Sequence, residues 1–297
     1  MTVADSDLWP QLFNFQNYGE LLVLLQNSII AGAILGLVGG LIGVFVMSRD
    51  MAFAVHGISE LSFAGASAGL LFGVGVVEGS LIGSLVAAAL IGLLGTRARD
   101  RNSIIAVLMP FGLGLGILCL ALYPGRTANK FGLLTGQIVA VDNPRLGSLI
   151  AISIVVIVGL AVVWRPLMFA SVDADVAAAR GVPTRFLSLY FMVLLGLAVA
   201  VSVQIVGSLL VLSILVTPAA AALRLSSSPV LVPLFSTVFA VVSLVGGILL
   251  ALGGSVPISP YVTTISFLIY VVCRVVQAVR KRHGNTGRTA GRALPQS

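Results

Sequence analysis

Charged residues are scarce along this chain. Only 9% of its 297 residues are Asp, Glu, Lys or Arg, whereas 58% are hydrophobic and the mean hydropathy is +1.12. A soluble globular domain usually carries about 25% charged residues, so the composition excludes a soluble fold. The net charge of +7 does not indicate nucleic-acid binding, because the basic residues lie in short loops and at the C-terminus rather than on one soluble face.

Residue types that build common catalytic and nucleotide sites are also few. Cys119 and Cys273 lie far apart in apolar runs and form no C-x-x-C pair, which is typical of small core residues. No Gly-rich loop ending in Gly-Lys-Ser/Thr is present, so we expect no ATP site on this chain. The two histidines, His56 and His283, form no H-E-x-x-H pattern, which argues against an intramembrane metalloprotease.

Long apolar runs, in contrast, are abundant. A helix needs roughly 20 mostly apolar residues to cross a bilayer, because its backbone polar groups must be satisfied within the segment. The runs predict an all-α membrane protein, a polytopic helical bundle of about nine transmembrane helices. The candidates are Leu21–Met47, Met51–Val77, Ser80–Leu94, Ile104–Leu122, Leu146–Val163, Phe186–Val203, Gly207–Ala222, Leu231–Leu252 and Pro260–Val276.

Two segments leave the number of helices open between eight and ten. The apolar stretch 186–222 is too long for one span, and Gln204 and Gly207 mark the expected turn within it. The loop 123–145 holds a shorter apolar segment, Phe131–Val141, which suits a re-entrant or interfacial element better than a full span.

The basic residues predict the orientation, because Lys and Arg in short loops prefer the cytoplasmic side. The N-terminal tail, residues 1–20, carries acidic but no basic residues. If this tail is extracytoplasmic, nearly all basic loops lie inside, and the loop 123–145 is the exception. We therefore expect a multi-pass protein of the cytoplasmic membrane with a transmembrane domain at 21–279. Its basic tail, residues 280–297, is predicted to be cytoplasmic and disordered, in contact with anionic lipid headgroups.

His56 and Glu60 are the ionisable residues that stand out inside a predicted span. Such a side chain costs roughly 2.5 to 3.5 kcal/mol on insertion scales, so it requires a partner or a pathway. The two lie four residues apart and therefore on one helix face. Nitrogen and oxygen ligands together suit a divalent metal ion. A hydrogen-bonded packing pair and a proton relay fit the same spacing, and two ligands alone do not complete a metal site.

A second polar stretch, Ser171–Arg185, reads S-V-D-A-D-V-A-A-A-R-G-V-P-T-R between the fifth and sixth candidate helices. Ser171 or Asp173 can cap a short helix there, and Gly181 followed by Pro183 would end it. A short helix on the predicted cytoplasmic side suits docking to another protein. An ordinary connecting helix would show the same pattern.

Three segments resemble the permease subunits of zinc/manganese-type ABC importers. Arg49–Gly69 is similar to that family's R-x-M-A-x-x-G-D-A-x-S-H-A-x-x-P-G segment. Asp173–Pro183 is similar to its D-P-E-x-A-x-x-x-G-x-P coupling segment, and Val206–Ala222 to its V-G-x-L-L-V-x-A-L-L-I-x-P-A-A-T-A run. The chain departs from the family at His56 and Glu60, where Asp and His are common.

Two further departures concern the coupling segment and the last predicted loop. Ala174 and Asp175 replace the Pro and Glu of the coupling segment. Ser255–Ser259 reads S-V-P-I-S where the family often has a D-x-P-x-G turn, so the carboxylate is absent.

The resemblance implies a permease subunit rather than an enzyme. Its substrate would be a divalent transition metal such as zinc, manganese or iron, and no permanently bound cofactor is expected. The implied partners are cytoplasmic ATPase subunits that bind ATP, an extracytoplasmic metal-binding protein and a second permease copy. His56 and Glu60 would contact the transported metal. The positions implied at the ATPase contact are Asp173, Asp175, Arg180 and Gly181.

An ion- or proton-coupled secondary transporter is the alternative, with His56 and Glu60 as its proton site. Such transporters often contain inverted repeats and paired broken helices. The two halves of this chain show no convincing repeat, which favours the ABC permease.

Overall fold

The protein is described by a computed structural model that covers residues 18–95, 98–124, 141–252 and 258–290. Within these ranges the chain forms twelve helices and no strand. They are α1 (Tyr18–Leu24), α2 (Gln26–Ser48), α3 (Ala52–Phe72), α4 (Val76–Leu94), α5 (Ala98–Leu122), α6 (Asn143–Val172), α7 (Ala174–Ala179), α8 (Thr184–Val206), α9 (Val211–Leu215), α10 (Thr217–Leu225), α11 (Leu231–Ala251) and α12 (Ile258–Ala290).

Seven of these helices are long and apolar enough to cross a membrane: α2, α4, α5, α6, α8, α11 and α12. α3 has 21 residues, and its lower hydropathy follows from His56, Glu60 and the serines that it carries. The short helices α9 and α10 run in succession through an apolar stretch. Counted with α3 and this broken pair, the described helices confirm an all-α bundle of about nine crossing elements. Residues 125–140, including most of the predicted re-entrant segment, lie outside the described ranges.

Glycines set the turn between α3 and α4 earlier than the sequence predicts. α3 ends at Phe72 rather than Val77, because Gly73 and Gly75 adopt φ values of +72° and +119°. Residues with a side chain rarely occupy this region of backbone space, so the two glycines end one helix and start the next.

α6 extends beyond its predicted end at Val163 and continues to Val172. It passes through Arg165 and Pro166, which lie just beyond the predicted end of the span. A proline removes one backbone donor and usually kinks a helix, but neighbouring helices can compensate within a membrane bundle.

The predicted split between the sixth and seventh spans is confirmed at Gly207, which caps α8 with φ +82°. The following span is not continuous: α9 ends at Leu215 and α10 begins at Thr217. Pro218 lies at the start of α10, where its missing N–H is tolerated. The interruption therefore coincides with the V-T-P-A part of the third resembling segment.

α3 packs against α4, α5, α8 and α9, and glycine and serine fix its position. A Cβ atom on Gly65 would collide with the carbonyl oxygen of Gly79, and one on Gly79 with that of Gly65. Backbones can approach this closely only without side chains. The Ser62 and Ser80 hydroxyls are 2.8 Å apart, and Ser80 also donates to the Ala200 carbonyl at 3.1 Å, which joins α3, α4 and α8.

Both ends of the chain are partly described. Residues 1–17 and 291–297 lie outside the described ranges, whereas α12 continues through Ala290 into the predicted tail. Cys119 and Cys273 are both free and buried, in agreement with the prediction of small core residues.

Candidate functional site

α3 carries His56 and Glu60 one turn apart, with Nε2 of His56 3.8 Å from Oε1 of Glu60. An N–H···O hydrogen bond usually measures about 2.7–3.2 Å, so the two side chains are close without being hydrogen-bonded. The Glu60 side chain is 3% exposed and that of His56 is 26% exposed. Protein therefore encloses the carboxylate, while the imidazole reaches the surface of the chain.

The His56–Glu60 pair has polar atoms without a partner. Nδ1 of His56 and Oε2 of Glu60 are buried and have no hydrogen-bond partner. Buried polar atoms without a partner are rare, and a bound ion is one of the recognised explanations. Two ligands about 2.0–2.2 Å from one tetrahedral ion are roughly 3.4 Å apart. The observed 3.8 Å is close enough for a modest side-chain rotation to place both on one ion.

Within the described ranges, no other His, Cys, Asp or Glu side chain lies beside this pair to form a metal-binding group. No group of three or more His, Cys, Asp or Glu side chains that could hold a metal occurs among the described residues. α5 closes one side of α3, since a Cβ on Gly112 would lie 2.9 Å from the carbonyl carbon of Glu60. The pair can therefore offer an ion one nitrogen and one carboxylate group, and no third His, Cys, Asp or Glu side chain among the described residues joins them.

The predicted short helix at the second polar stretch is confirmed as α7. Asp173 caps it, because its Oδ1 accepts from the backbone N–H groups of Asp175 at 3.1 Å and Val176 at 2.9 Å. Ser171, the other possible cap, instead donates to the Leu167 carbonyl at 2.7 Å within α6. Gly181, with φ +82°, ends the segment.

α7 is anchored on one side and open on the other. Ala177 is fully buried, whereas Asp173, Asp175, Arg180 and Gly181 are all exposed. The structure thus brings the four predicted contact positions together on one short surface segment. This surface carries both acidic and basic groups and can contact another protein.

Arg49 at the α2–α3 connection contacts Arg101 near the start of α5, and the sequence indicated neither residue except as a positive charge. The Arg49 guanidinium lies 5.6 Å from the centroid of the Phe191 ring, and Arg101 donates to the Arg49 carbonyl at 3.4 Å. Burial lowers the pKa of Arg49 from its usual value, and the charge of Arg101 lowers it further. Both groups nonetheless stay charged at neutral pH. The sequence feature that could have indicated this contact is the very short charged connection between two long helices.

Two buried polar groups at the end of α8 were also not predicted from the sequence. Nε2 of Gln204 and Oγ of Ser208 are buried without a hydrogen-bond partner. In the sequence, Gln204 marked only the expected turn. A glutamine inside an apolar stretch could have indicated this buried polar position, since polar residues within a membrane usually face the interior of a bundle.

Comparisons with known proteins relate the chain to metal transport systems. A family model described as the ABC 3 transport family matches residues 22–277. The manganese transport system membrane protein MntC of Halalkalibacterium halodurans is 28% identical over 225 residues, which cover 75% of this chain and 77% of that protein. The high-affinity zinc uptake system membrane protein ZnuB of Haemophilus influenzae is 24% identical over 253 residues, which cover 84% and 96%.

A solved structure has a similar fold. In the structure of PsaBC from Streptococcus pneumoniae in complex with Fab, the matching chain superposes with a TM-score of 0.78 at 24% sequence identity. The match covers 86% of this chain and 94% of that one.

Proposed function

The chain belongs to the ABC 3 transport family, and we propose that it is the transmembrane permease subunit of an ATP-binding cassette importer for a divalent transition metal, zinc or manganese. The observation that carries this proposal is the His56–Glu60 pair on α3, which packs against α4, α5, α8 and α9 within the bundle. The names of the manganese and zinc relatives support the same class of substrate.

The geometry of the pair suits a transient ion site. Nε2 of His56 and a Glu60 oxygen would replace part of the hydration shell of the ion during its passage. A conducting site must bind strongly enough for entry and weakly enough for release, and two strong ligands meet that requirement better than a closed tetrahedral set. A second copy of the chain would supply the facing wall of the path, since His56 reaches the surface of this one.

ATP would be bound and hydrolysed by separate cytoplasmic subunits that dock on the exposed face of α7. The capped, anchored geometry of this helix supports a mechanical contact, because Asp173 fixes its start and Ala177 holds it to the bundle. An extracytoplasmic binding protein would deliver the metal at the opposite surface. The distribution of basic residues supports an extracytoplasmic N-terminus and a cytoplasmic C-terminus.

Affinity purification from native membranes, followed by mass spectrometry, tests the proposal. We expect the tagged chain to recover an ATPase subunit of similar abundance, and the purified complex in proteoliposomes to take up zinc or manganese only with ATP. Recovery of the chain alone, with uptake driven by a proton or ion gradient and indifferent to ATP, would replace the proposal with the secondary transporter.

A further inference from the structure

One face of α3 places an aromatic residue on each side of the His56–Glu60 pair. Phe53 lies three residues before His56, about 4.5 Å along the helix axis, and Phe63 lies three residues after Glu60. At about 100° of rotation per residue, these four positions fall within an arc of about 80°. The pair is therefore bracketed by two benzyl side chains on the same helix face.

The exposed fraction along this face decreases from one end to the other. Phe53 is 67% exposed, His56 26%, Glu60 3% and Phe63 0%. α5 covers the Phe63 end, because a Cβ atom on Gly116 would collide with the Phe63 ring. Within this chain the pair is thus closed on the Phe63 side and open on the Phe53 side.

Phe53 stands at the end of α3 that follows the short α2–α3 connection. Arg49 lies in this connection, and basic residues in short loops prefer the cytoplasmic side. An ion that leaves the pair toward the cytoplasm along this face must pass Phe53. The ring therefore occupies the exit that the fold of this chain leaves open.

The same face of α3 also indicates what the Phe53 ring meets. Ionisable side chains within a membrane face a protein interior or a water-filled cavity rather than lipid. His56 is partly exposed beside Phe53, so this face meets protein or water. In a two-fold contact the same surface of both copies meets itself, which brings the two Phe53 side chains toward each other.

We propose that Phe53 forms a hydrophobic gate between the His56–Glu60 site and the cytoplasm, closed when two copies of the chain bring their Phe53 rings together. This inference rests on the proposed transport function. An apolar constriction stops ions by excluding water, and a benzyl group offers no strong ligand to replace it. Separation of the two α3 ends opens the gate, since most of the ring surface is free of contacts within its own chain.

Passive leak of manganese through the reconstituted complex tests the gate. Proteoliposomes would contain the full chain with its ATPase subunits and enclose a manganese-sensitive dye. The leak would be measured without nucleotide and with ATP plus vanadate, so that two states of the complex are sampled. Phe53→Ala should leak at least about tenfold faster than the wild type in one of these states, because alanine lets water into the constriction. Phe53→Leu should leak like the wild type, since leucine restores a large apolar side chain.

Phe72→Ala is the matched control. Phe72 is another exposed phenylalanine of α3, but it lies at the opposite end of the helix and about 100° around the axis from Phe53. This variant should leak like the wild type. Gel filtration and recovery of the ATPase subunits check that each variant is assembled.

Cross-linking gives a second measurement that does not depend on the alanine variant. Phe53→Cys, made with Cys119 and Cys273 replaced by Ala, should be joined between two copies by a short bis-methanethiosulfonate reagent. The cross-link should stop ATP-driven uptake, and a reductant should restore it. Phe72→Cys in the same background should not be joined.

Four results would overturn the gate. They are an unchanged leak of Phe53→Ala in both states, an equal increase in Phe72→Ala, a leak of Phe53→Leu as fast as that of Phe53→Ala, and no cross-link at Phe53→Cys. In each case the proposed function stands if the wild type takes up metal with ATP in the same vesicles. Wild-type vesicles that take up neither zinc nor manganese with ATP would overturn the proposed function, and the gate with it.

Discussion

Single ionisable residues matter in this protein because the apolar bundle offers them so few partners. The segment that Arg49–Gly69 resembles has Asp and His four residues apart, and this chain has His56 and Glu60 at those two positions. The exchange reverses the order but preserves one imidazole, one carboxylate and the spacing. The side chains remain on one face of α3 with 3.8 Å between Nε2 and Oε1. The two side-chain types and their spacing therefore match the resembled segment, although their order is reversed.

We predict that His56→Ala and Glu60→Ala each abolish metal uptake. Glu60→Gln should do the same, because it keeps the shape of the side chain and removes its charge. We expect a loss of at least about tenfold, since even groups that only orient a metal ligand contribute about 10–100-fold. Uptake by the reconstituted complex, measured by elemental analysis of the vesicles, gives the result.

Glu78→Gln provides the control, since Glu78 is an exposed carboxylate in the first turn of α4. It should transport normally, and all four variants should still recover the ATPase. Normal uptake in both His56→Ala and Glu60→Ala would reduce the pair to a packing role.

Among the helices, α7 depends most on its cap. It has six residues, too few to be stable alone, because helix formation requires a costly nucleus. Two backbone N–H groups donate to Asp173, and Ala177 ties the helix to the bundle. Removing the cap should therefore fray the surface that we assign to ATPase docking, without unfolding the transmembrane helices.

We predict that Asp173→Ala uncouples ATP hydrolysis from uptake. The lost cap costs about 0.5–2 kcal/mol, enough to depopulate so short a helix. The measured quantity is metal transported per ATP hydrolysed, which should fall while hydrolysis continues. Asp142→Ala is the control, because Asp142 precedes α6 in the same N-cap position but makes no side-chain cap hydrogen bond. An unaltered ratio in Asp173→Ala would rule out this docking surface.

For the molecule as a whole, orientation decides whether α7 can meet a cytoplasmic ATPase. We predict that Asp142→Cys is labelled by a membrane-impermeant maleimide in intact cells, whereas Asp175→Cys is labelled only after permeabilisation. Both variants would be made with Cys119 and Cys273 replaced by Ala. The two positions stand at opposite ends of α6 and its continuation into α7. The reverse labelling pattern would invert the topology and exclude the proposed docking side.

The sequence alone determined the class of the molecule and two local features of its site. Apolar runs identified a helical membrane protein, because the cost of burying backbone in lipid acts on each segment separately. The spacing of His56 and Glu60 placed them on one helix face, and the Asp173–Gly181 pattern predicted α7. These properties depend on neighbours within about one helical turn, which a sequence displays directly.

The tertiary structure decided what depends on distant segments. It showed that Gly65 and Gly79 allow two backbones to meet, that Arg101 reaches the Arg49 carbonyl, and that α6 continues past Pro166. An apolar groove lined by Leu225, Phe239 and Ile265 likewise exists only because α10, α11 and α12 pack together. Hydropathy is nearly uniform around these helices, so it does not indicate which faces pair. Only the close approach of small residues, and the fit of side chains across helices, selects those faces.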